Sequence, residues 1–345
     1  MNVFIIVAMN FCAYTSYLHP STYPNWSYFG LIFPVFLTIN VCFIVFWALL
    51  KWKLVMLPIF GMLLCANSVR TYFPVNFSNE IPEGTITLLT YNVMNFGGPP
   101  MAKIDFSENP IVNYLLNSSA DIVCIQEGSV SGHEKLKELF IKKYPYICQG
   151  GEDGCHYNVC MSKFPIAKVE NIPFDSKNNR SYAYYLLVDA DTLLVVNNHF
   201  ESYQMNKEDV AAYEDIIEKP EDKANVGRYK SLVKKLVRAD SIRGSQVDRV
   251  AEYIDSVQCK YKVACGDFND SPLSYAHHRM TRTLDDAYVK NGLGPGITYH
   301  EHVMLFRIDN ILVNHNITPY GTKVDNSVSE SDHYPVISHL FLKEK

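Results

Sequence analysis

The chain divides into two parts that differ in how apolar and polar positions follow one another. In the first part, three long apolar runs cover roughly residues 3–18, 28–50 and 54–66. After residue 84 the apolar runs are short, rich in β-branched residues, and end in polar residues. Long uninterrupted apolar runs predict helices that are hydrophobic on all sides, whereas short ones predict strands that are buried on both faces.

The three apolar runs of the first part predict membrane-spanning helices. A span needs about 20 largely apolar residues, and the run at 28–50 meets this length. The other two runs are shorter and need tilt or a thinned bilayer to cross. We expect three spans, with two as the alternative. The rival interpretations are a cleaved signal peptide for the first run, which lacks a basic start, and a buried core helix for the third.

The second part is predicted to be a layered α/β domain. Strands are expected at 86–93, 122–127, 193–199, 262–267 and 307–313, and helices at 109–116, 134–144 and 246–257. This alternation predicts mixed sheets with helices outside them. The charged, helix-prone stretch 203–243 looks like an added excursion. We therefore divide the chain into a membrane region at 1–75, a linker at 76–84 and a domain at 85–345.

Charge is distributed as unevenly as hydrophobicity. The chain contains 31 basic and 36 acidic residues and has a net charge of −5, but residues 1–79 contain only three charged residues, Lys51, Lys53 and Arg70. Subtracting these three leaves 28 basic and 36 acidic residues, a net charge of −8, in residues 80–345. This charge argues mildly against strong binding to a nucleic acid duplex, because nucleic-acid binders usually offer a basic surface.

The few charges of the first part predict its orientation. Lys51 and Lys53 lie between the second and third apolar runs, with Trp47 and Trp52 nearby. Basic residues in short loops favour the cytoplasmic side of a membrane, and Trp favours the interface. With three spans, the domain at 85–345 then lies outside the cytoplasm. The sequence thus predicts a multi-pass protein of the cytoplasmic membrane with an extracytoplasmic domain.

Nine cysteines leave the redox environment open. Cys124 and Cys265 lie in apolar, strand-like segments and are predicted to be buried free thiols. Cys148, Cys155 and Cys160 are close enough in sequence to permit a disulfide in an oxidising compartment, or to remain unpaired. Their spacing contains no CxxC pair, which argues against a structural zinc site.

Polar residues that can carry chemistry stand at or just beyond the ends of the predicted strands. One of them alone would carry little information, because an Asn after a strand is usually a turn residue and a single Glu or His is usually part of the fold. Six such segments in one chain are hard to attribute to turns. They are Leu89–Val93, 125–127, 198–200, 266–269, 307–309 and 331–333, and they contain Asn92, Glu127, His199, Asp267, Asn269, Asp309, Asp332 and His333.

This set resembles the endonuclease/exonuclease/phosphatase superfamily, whose fold is that of deoxyribonuclease I. The resemblance covers residues from about 85 to 343, and Gly-Asp-Phe-Asn at 266–269 and Ser-Asp-His at 331–333 are its most specific segments. It implies an α/β (α+β) four-layer sandwich of two packed mixed β-sheets flanked by helices, here preceded by transmembrane helices. Members of the superfamily cleave DNA, RNA abasic sites, inositol phosphates, sphingomyelin or small phosphodiesters, and the fold alone does not choose among these.

The resemblance also implies a role for each of the eight residues. Phosphoester hydrolysis needs an in-line water, neutralised phosphoryl oxygens and help for the leaving oxygen. Hard oxygen donors suit Mg²⁺, with Mn²⁺ as the alternative. By resemblance Glu127 is the main metal ligand, with Asn92 and Asp332 nearby. The other five form the catalytic set, in which Asp309 orients His333, either Asp267 or His333 takes the proton, and Asn269 and His199 hold phosphoryl oxygens.

Several other polar residues receive structural interpretations or remain open. Arg180 and Tyr184 fall where relatives often supply a phosphate contact, but a surface or core role is favoured. Arg243 and Gln246 are expected to open a helix, with either a structural role or a place at the substrate lip. His277 and His278 are expected on a helix surface. They lack the matching ligands that a metal site would need.

Two kinds of substrate remain open. The first hypothesis is a membrane-tethered, Mg²⁺-dependent phosphodiesterase or phosphatase acting on a lipid head group or a small phosphoester. The second is a membrane-anchored endo- or exonuclease acting on DNA or RNA, for which a basic strip could serve as the contact surface. That strip consists of Lys230, Lys234, Lys235, Arg238 and Arg243. A binding module without activity is disfavoured because every expected catalytic position is filled. The partners expected are thus a phosphoester substrate and the lipid bilayer.

Overall fold

A computed structural model describes residues 1–77, 79–150, 157–176, 178–205, 208–211, 225–301 and 305–343. Four helices lie before the sheets, with short 3₁₀ turns between them. They are α1 (Asn2–Tyr14), α2 (Phe33–Leu50), α3 (Met56–Leu64) and α4 (Ala66–Tyr72), and the 3₁₀ turns are Thr15–Tyr17, Ser27–Ile32 and Trp52–Val55. We call residues 1–77 the N-terminal module.

Residues 79–343 are the part expected to be catalytic, and we call them the catalytic half. Where the structure describes them, they contain twelve strands and six further helices, besides the helical residues 208–211. The strands are β1 (Ile86–Asn92), β2 (Ile122–Gln126), β3 (Tyr146–Gly150), β4 (Asn158–Ser162), β5 (Ile166–Ile172), β6 (Arg180–Val188), β7 (Asp191–His199), β8 (Tyr261–Asp267), β9 (Asp285–Asp286), β10 (Asp309–Val313), β11 (Ile317–Val324) and β12 (Val336–Leu342). The helices are α5 (Met94–Met101), α6 (Pro110–Asn117), α7 (Glu134–Ile141), α8 (Asn225–Ser256), α9 (Tyr275–Met280) and α10 (Ala287–Asn291).

The strands form two six-stranded mixed sheets. The first has the order β11-β12-β1-β2-β4-β3 and the second β5-β6-β7-β8-β10-β9. The pairs β1–β2 and β7–β8 are parallel, and the other pairs are antiparallel. Of these strands, β1, β2, β7, β8 and β10 were predicted. The edge strands were not, and β5, for example, is partly exposed and lacks an uninterrupted apolar run. The inner strands β4, β6 and β12 were also missed.

Three layers of apolar side chains hold this half together. One cluster lies between the sheets, where Leu88 of β1 packs with Val195 of β7. A second joins the outer face of the first sheet to α6 and α7, and a third joins the outer face of the second sheet to α8. The arrangement is the expected four-layer sandwich of two packed mixed sheets flanked by helices. Asn109 caps α6 by accepting hydrogen bonds from the N–H groups of Ile111 and Val112.

The N-terminal module has its apolar residues on the outside. Within the described residues, the helix Ser27–Leu50 is long and apolar enough to cross a membrane, whereas Asn2–Tyr17 is shorter. The third run is broken, because Trp52–Leu64 and Ala66–Tyr72 meet at an angle of 77°. These features identify one segment of spanning length, or two if the bent pair forms a single span, where three had been predicted with two as the alternative. A helix near a chain start can also be a signal sequence or a core helix.

The segment expected to be a linker and the stretch expected to be an excursion are both more integrated than predicted. The Asn76 side chain donates hydrogen bonds to the carbonyls of Val289 and Gly292, so the start of the linker is fixed to the catalytic half. The predicted helices within 203–243 and at 246–257 are one helix, α8, of 32 residues. Residues 206–207 and 212–224 of the predicted excursion fall outside the described residues.

Candidate active site

The polar strand ends meet at one edge of the two sheets. The parallel pairs β1–β2 and β7–β8 bring their carboxyl ends to the same edge. β10 begins there because it runs antiparallel to β8, with Asp309 opposite Asp267. β12 runs antiparallel to β1, so His333, three residues before it, returns to the same place. Sheet topology therefore gathers residues that are up to 241 positions apart, from Asn92 to His333.

Asp267 is the centre of this gathering. Its Oδ2 atom accepts hydrogen bonds from Asn92 Nδ2 at 3.0 Å and from Asn269 Nδ2 at 3.1 Å. The Nε2 atoms of His199 and His333 each lie 3.8 Å from the same oxygen. Four of the predicted residues thus surround one buried carboxylate.

The close approach of β7 and β8 depends on Gly266. Its φ of +116° lies in a region that L side chains rarely adopt. A Cβ at this position would lie 2.1 Å from the carbonyl oxygen of Asn198. The glycine of the Gly-Asp-Phe-Asn segment therefore lets Asp267 sit directly beside His199.

His333 and Asp309 form a buried pair. His333 Nδ1 lies 2.8 Å from Asp309 Oδ2, which leaves Nε2 directed toward Asp267. Burial alone would lower the pKa of His333, but the negative charges of Asp309 and Asp267 outweigh it and raise the pKa well above its usual value. A carboxylate bonded to one ring nitrogen fixes the tautomer and orientation of the imidazole. The pairing predicted for these two residues is therefore present in the structure.

Burial raises the pKa of Asp267 to about 7, against the charge of His333, which lowers it, while nearby Asp309 adds to the rise. A group whose pKa lies near neutral pH suits general acid–base catalysis. Asp267 and His333 therefore form a pair that can hold and move one proton at this edge.

Comparisons with known proteins agree with this arrangement. Residues 89–333, more than two thirds of the chain, match the endonuclease/exonuclease/phosphatase family. The chain belongs to this family. Its members are hydrolases that act on phosphoester bonds. Residues 1–72 match a domain of unknown function, DUF8431. No curated protein matches the sequence significantly.

Solved structures share the fold at low identity. TDP2 of D. rerio, complexed with a single-strand DNA product, is 13% identical, with a TM-score of 0.53 over 75% of this chain and 100% of that one. The human Nocturnin catalytic domain with bound sulfate is 13% identical, with a TM-score of 0.53 over 76% and 97%. The Bacteroides thetaiotaomicron mannosyl-6-phosphatase Bt3783 is 16% identical, with a TM-score of 0.52 over 74% and 100%. These likenesses establish the fold of the catalytic half.

Enzymes of the endonuclease/exonuclease/phosphatase family are typically dependent on a divalent metal, and the predicted ligands fit one in their chemistry. Glu127, which has a φ of +53°, accepts a hydrogen bond from Asn92 Nδ2 at 3.2 Å and lies 3.4 Å from His199 Nε2. Burial and then the charge of Glu127 raise the pKa of Asp332, opposed by His333. Two carboxylates that influence each other electrostatically suit a hard cation that takes oxygen ligands.

Asn92 is placed differently from its predicted role as a ligand. Its Nδ2 atom faces Glu127 and Asp267, and its Oδ1 atom accepts the N–H of Met94 at 3.2 Å. An amide ligates a metal through oxygen, so Asn92 would do so only after a half-turn of its amide group. A second acidic group that could hold a cation is Asp267, Asp309 and His333, but the Asp309–His333 hydrogen bond occupies one ligand atom of each.

Asn269 also makes contacts beyond its predicted role of holding phosphoryl oxygens. Its Nδ2 atom donates to the carbonyl of Phe200 at 2.9 Å as well as to Asp267, and its backbone N–H donates to Asp267 Oδ1 at 2.8 Å. Its φ of +53° is uncommon for a residue other than glycine, and such conformations concentrate at functional sites. In this structure Asn269 orients Asp267.

Two residues near the site were missed from the sequence. Ser331 Oγ donates to the carbonyl of Asn92 at 2.7 Å and accepts the N–H of His333 at 3.3 Å, so it ties the end of β1 to the Ser-Asp-His turn. The motif itself was a signal for it. The ring of Tyr299 lies edge-on to that of His333, with centroids 5.2 Å apart. Nothing in the surrounding sequence marks Tyr299.

Of two secondary expectations, the one for Tyr184 is confirmed and the one for His277 is wrong. Tyr184 is fully buried in the core between the sheets and donates to the carbonyl of Asn158, so it is a core residue as favoured. His277 was expected on a helix surface, but it is buried and bonded to Asp286 at 2.8 Å. The expectation failed because α9 packs between α8 and the N-terminal module, and a six-residue helix has no clear periodicity.

Arg180 lies beside the site without a resolved role. It stands opposite His199 in the β6–β7 pairing, and its guanidinium donates to the carbonyls of Ser176 and Asn179. The cysteine predictions are confirmed where they can be checked. Cys124 and Cys265 are buried and free, whereas Cys148 and Cys160 lie opposite each other in β3 and β4 and are also free. Cys155 lies outside the described residues.

Proposed function

We propose that the chain is a membrane-tethered, divalent-metal-dependent phosphoesterase that hydrolyses a phosphodiester or phosphomonoester, with a lipid head group or a small phosphoester as substrate. The observation that carries this proposal is the convergence of Asn92, His199, Asn269 and His333 on the buried carboxylate of Asp267. Such a set can hold a phosphoryl group on one side and a water on the other.

The residues divide the chemistry of in-line water attack among them. Either Asp267 or His333 takes the proton from the attacking water. His333 is oriented for this role because Asp309 holds its imidazole with Nε2 toward the site. His199 lies where its Nε2 can donate to a phosphoryl oxygen. Glu127 and Asp332 would hold Mg²⁺, or Mn²⁺ as the alternative, which would supply positive charge to neutralise the phosphoryl oxygens. Asn92 and Asn269 keep the carboxylates oriented through the bonds described above.

The tether is part of the proposal. Large apolar side chains of α1, α2 and α3 face outward, which suits lipid better than water. We propose that all three enter the bilayer as one bundle and that the protein is multi-pass. α2 begins beside the catalytic half and extends for 18 residues, about 27 Å at the usual helical rise, before Lys51. Lysines at this far end favour an extracytoplasmic catalytic half.

The position of the tether favours a substrate at the bilayer surface. The loop that follows Asp267 carries both Asn269 and Leu273, and Leu273 packs into the core of the N-terminal module. The active site is therefore only a few residues from the membrane helices. A lipid head group, or a small phosphoester near the surface, would reach it without leaving the interface.

A membrane-anchored endo- or exonuclease remains the second candidate, on the strength of the shared family. The basic strip that could have served it is weaker than the sequence indicated. Arg243 is buried and bonded to carboxylates, and Lys235 pairs with Asp209. The net charge of −8 in residues 80–345 also argues against strong binding to a nucleic acid duplex.

A substrate panel tests the proposal. The full chain in detergent or nanodiscs with Mg²⁺ would be given bis-p-nitrophenyl phosphate, vesicles containing sphingomyelin or phosphoinositides, and plasmid DNA. We expect turnover of the chromogenic diester and of a vesicle lipid, abolished by EDTA. Plasmid cleavage that persists at about 0.2 M salt, without lipid turnover, would favour the nuclease, since phosphate contacts weaken with salt. Full activity in EDTA would overturn the metal requirement.

A further inference from the structure

The junction between the N-terminal module and the catalytic half contains a buried polar network beside the active site. Its central residue is Arg243, near the middle of α8, whose side chain is 1% exposed. Burying a charged group is costly unless it is paired and hydrogen-bonded. The partners of Arg243 therefore indicate what it holds in place.

Arg243 contacts the two loops that follow β7 and β8. Its Nε atom donates to the carbonyl of Glu201 at 2.9 Å, two residues after His199. Its Nη1 atom donates to Asp270, the residue directly after Asn269, and to Asp240 at 2.9 Å. One rigid guanidinium thus bridges the segments that carry His199 and Asn269.

A neighbouring side chain on the same helix reinforces this bridge. The Oε1 atom of Gln246 accepts the backbone N–H of Glu201 at 2.8 Å. The hydroxyl of Tyr203, two residues further along that loop, lies 3.1 Å from Asp240 Oδ1 and 3.2 Å from Asp270 Oδ1, so it can donate its one hydrogen to either carboxylate. The Tyr203 ring also lies under the Arg243 guanidinium, 4.5 Å from ring centroid to Cζ. The loop after β7 is therefore bound to α8 at several points.

The N-terminal module completes the network from the other side. The Ser27 hydroxyl donates to Asp240 Oδ2 at 2.7 Å, and both residues are buried. Three residues later Gly30 packs against Leu273 so closely that a Cβ there would lie 2.3 Å from the Leu273 carbonyl oxygen. Leu273 belongs to the loop that begins at Asp267. The module thus contacts both the Asp240 carboxylate, which pairs with Arg243, and the backbone of the loop that follows β8.

We propose that Arg243 is a positioning residue that holds the two catalytic loops in register, and that the N-terminal module completes this clamp through Ser27 and Gly30. The membrane helices are then part of the catalytic architecture as well as a tether, and the active-site geometry depends on their docking. The proposal rests on the proposed function, because the loops matter for turnover only if His199, Asp267 and Asn269 carry the reaction.

Three substitutions in the full chain test the clamp. Arg243→Lys keeps the charge but loses the planar fork that reaches Glu201 and Asp270 together. Ser27→Ala removes the hydroxyl from Asp240, and Gly30→Ala inserts a methyl group against Leu273. Ser27→Thr is the conservative rescue variant because it restores the hydroxyl.

Matched controls come from the same long helix. Arg249→Lys changes an exposed arginine two turns further along α8. Gly227→Ala adds a methyl group where no atom lies within 4 Å. Neither residue touches the network.

Two readouts separate the proposal from a general loss of folding. With bis-p-nitrophenyl phosphate and saturating Mg²⁺, we expect kcat to fall about 100-fold in Arg243→Lys and about tenfold in Gly30→Ala, with KM nearly unchanged, because small misplacement of reacting groups has costs of this order. Ser27→Ala should lose about fivefold and Ser27→Thr should recover, the size expected for one hydrogen bond. Amide hydrogen exchange at 268–274 should accelerate in the same order, while exchange in β1 and β2 stays unchanged.

The two readouts also separate failure of this inference from failure of the proposed function. A wild-type chain that hydrolyses no phosphoester would refute the proposed function, and the exchange data would still test the clamp. An active wild type with unchanged kcat and unchanged exchange in Arg243→Lys would overturn the positioning role. Wild-type behaviour of both Ser27→Ala and Gly30→Ala would overturn the part assigned to the N-terminal module.

Discussion

The N-terminal module exposes many of its large apolar side chains, whereas the catalytic half buries most of its own. Among the described residues, 25 large hydrophobic side chains are exposed in residues 1–77, against eight in the rest of the chain. In the catalytic half, apolar residues fill three internal layers and polar ones gather at the sheet edge. The two halves therefore expose surfaces of opposite character, one largely apolar and the other largely polar.

Buried polar groups show the same contrast in another form. In the N-terminal module a few asparagines join the helices: Asn40 Nδ2 donates to the carbonyl of Pro58 at 3.0 Å, and Asn10 Nδ2 donates to that of Gly61 at 3.0 Å. Both acceptors lie in α3. In the catalytic half, buried polar residues surround Asp267 and serve chemistry. Polar burial thus stabilises helix packing in one half and builds a site in the other.

The largest effect is expected from removing the proposed main metal ligand. Glu127→Ala should lower kcat about 1,000-fold or more, because charge at the phosphoryl group would no longer be neutralised. Steady-state kinetics and calorimetric titration with Mg²⁺ would measure the loss of turnover and of binding. Glu138→Ala, at an exposed position on α7, is the control. Near-wild-type turnover in Glu127→Ala would contradict the metal assignment.

The next effect concerns the outward apolar face of the N-terminal module. Val41 and Val45 of α2 are 44% and 57% exposed. Val41→Lys with Val45→Lys should prevent stable insertion, since each lysine at the centre of a span costs about 3 kcal/mol. Alkaline extraction of membranes would then release the protein. Leu187→Lys, at an exposed position of β6, should leave it in the membrane. Equal retention of the wild type, the double variant and Leu187→Lys in the membrane fraction would show that α2 does not span the membrane.

The pH dependence of turnover tests the polar edge. The pKa of Asp267 is raised in the fold to about 7, so the carboxyl is protonated below that pH and cannot accept a proton from water. We expect kcat to fall about tenfold per pH unit below about pH 7 at saturating metal. Stopped assays from pH 5 to 9 would measure it. The exposed variant Asp255→Asn should keep the profile, whereas a rate that is flat from pH 5 to 7 would exclude Asp267 as the base.

The smallest effect should come from the asparagines between the helices. Asn40 is fully buried and also lies 3.4 Å from Asn2 through its Oδ1 atom. Asn40→Ala should lower the free energy of unfolding by about 1 kcal/mol, the size typical of hydrogen bonds between membrane helices. Thermal unfolding in detergent would detect a decrease of a few degrees in Tm. Asn113→Ala, at a half-buried position of α6, serves as the reference. An equal Tm for the two variants would show that Asn40 does not stabilise the packing of the helices.

Much of the catalytic site could be predicted from the sequence because its residues stand next to strong local signals. Each of Asn92, Glu127, His199 and Asp267 lies at or directly after the carboxyl end of a buried apolar strand, and parallel strands bring such ends to one edge. Asp309 and His333 precede antiparallel strands that return to it. The family resemblance added the roles.

The same local signals failed where structure depends on distant partners. β3 and β5 are partly exposed edge strands, so they lack the continuous apolar run that marks a buried strand. His277 was misplaced because its burial depends on packing between α8 and the N-terminal module. Arg243 was expected at the start of a helix, whereas the structure places it near the middle of α8.

The sequence by itself determined which polar side chains follow the strands and which part of the chain is apolar and nearly free of charge, because both are properties of short segments. Only the tertiary structure decided that Ser27 contacts Asp240 and that Gly30 contacts Leu273, because these contacts join positions more than 200 residues apart. Such contacts depend on how whole helices pack, and no local pattern encodes them.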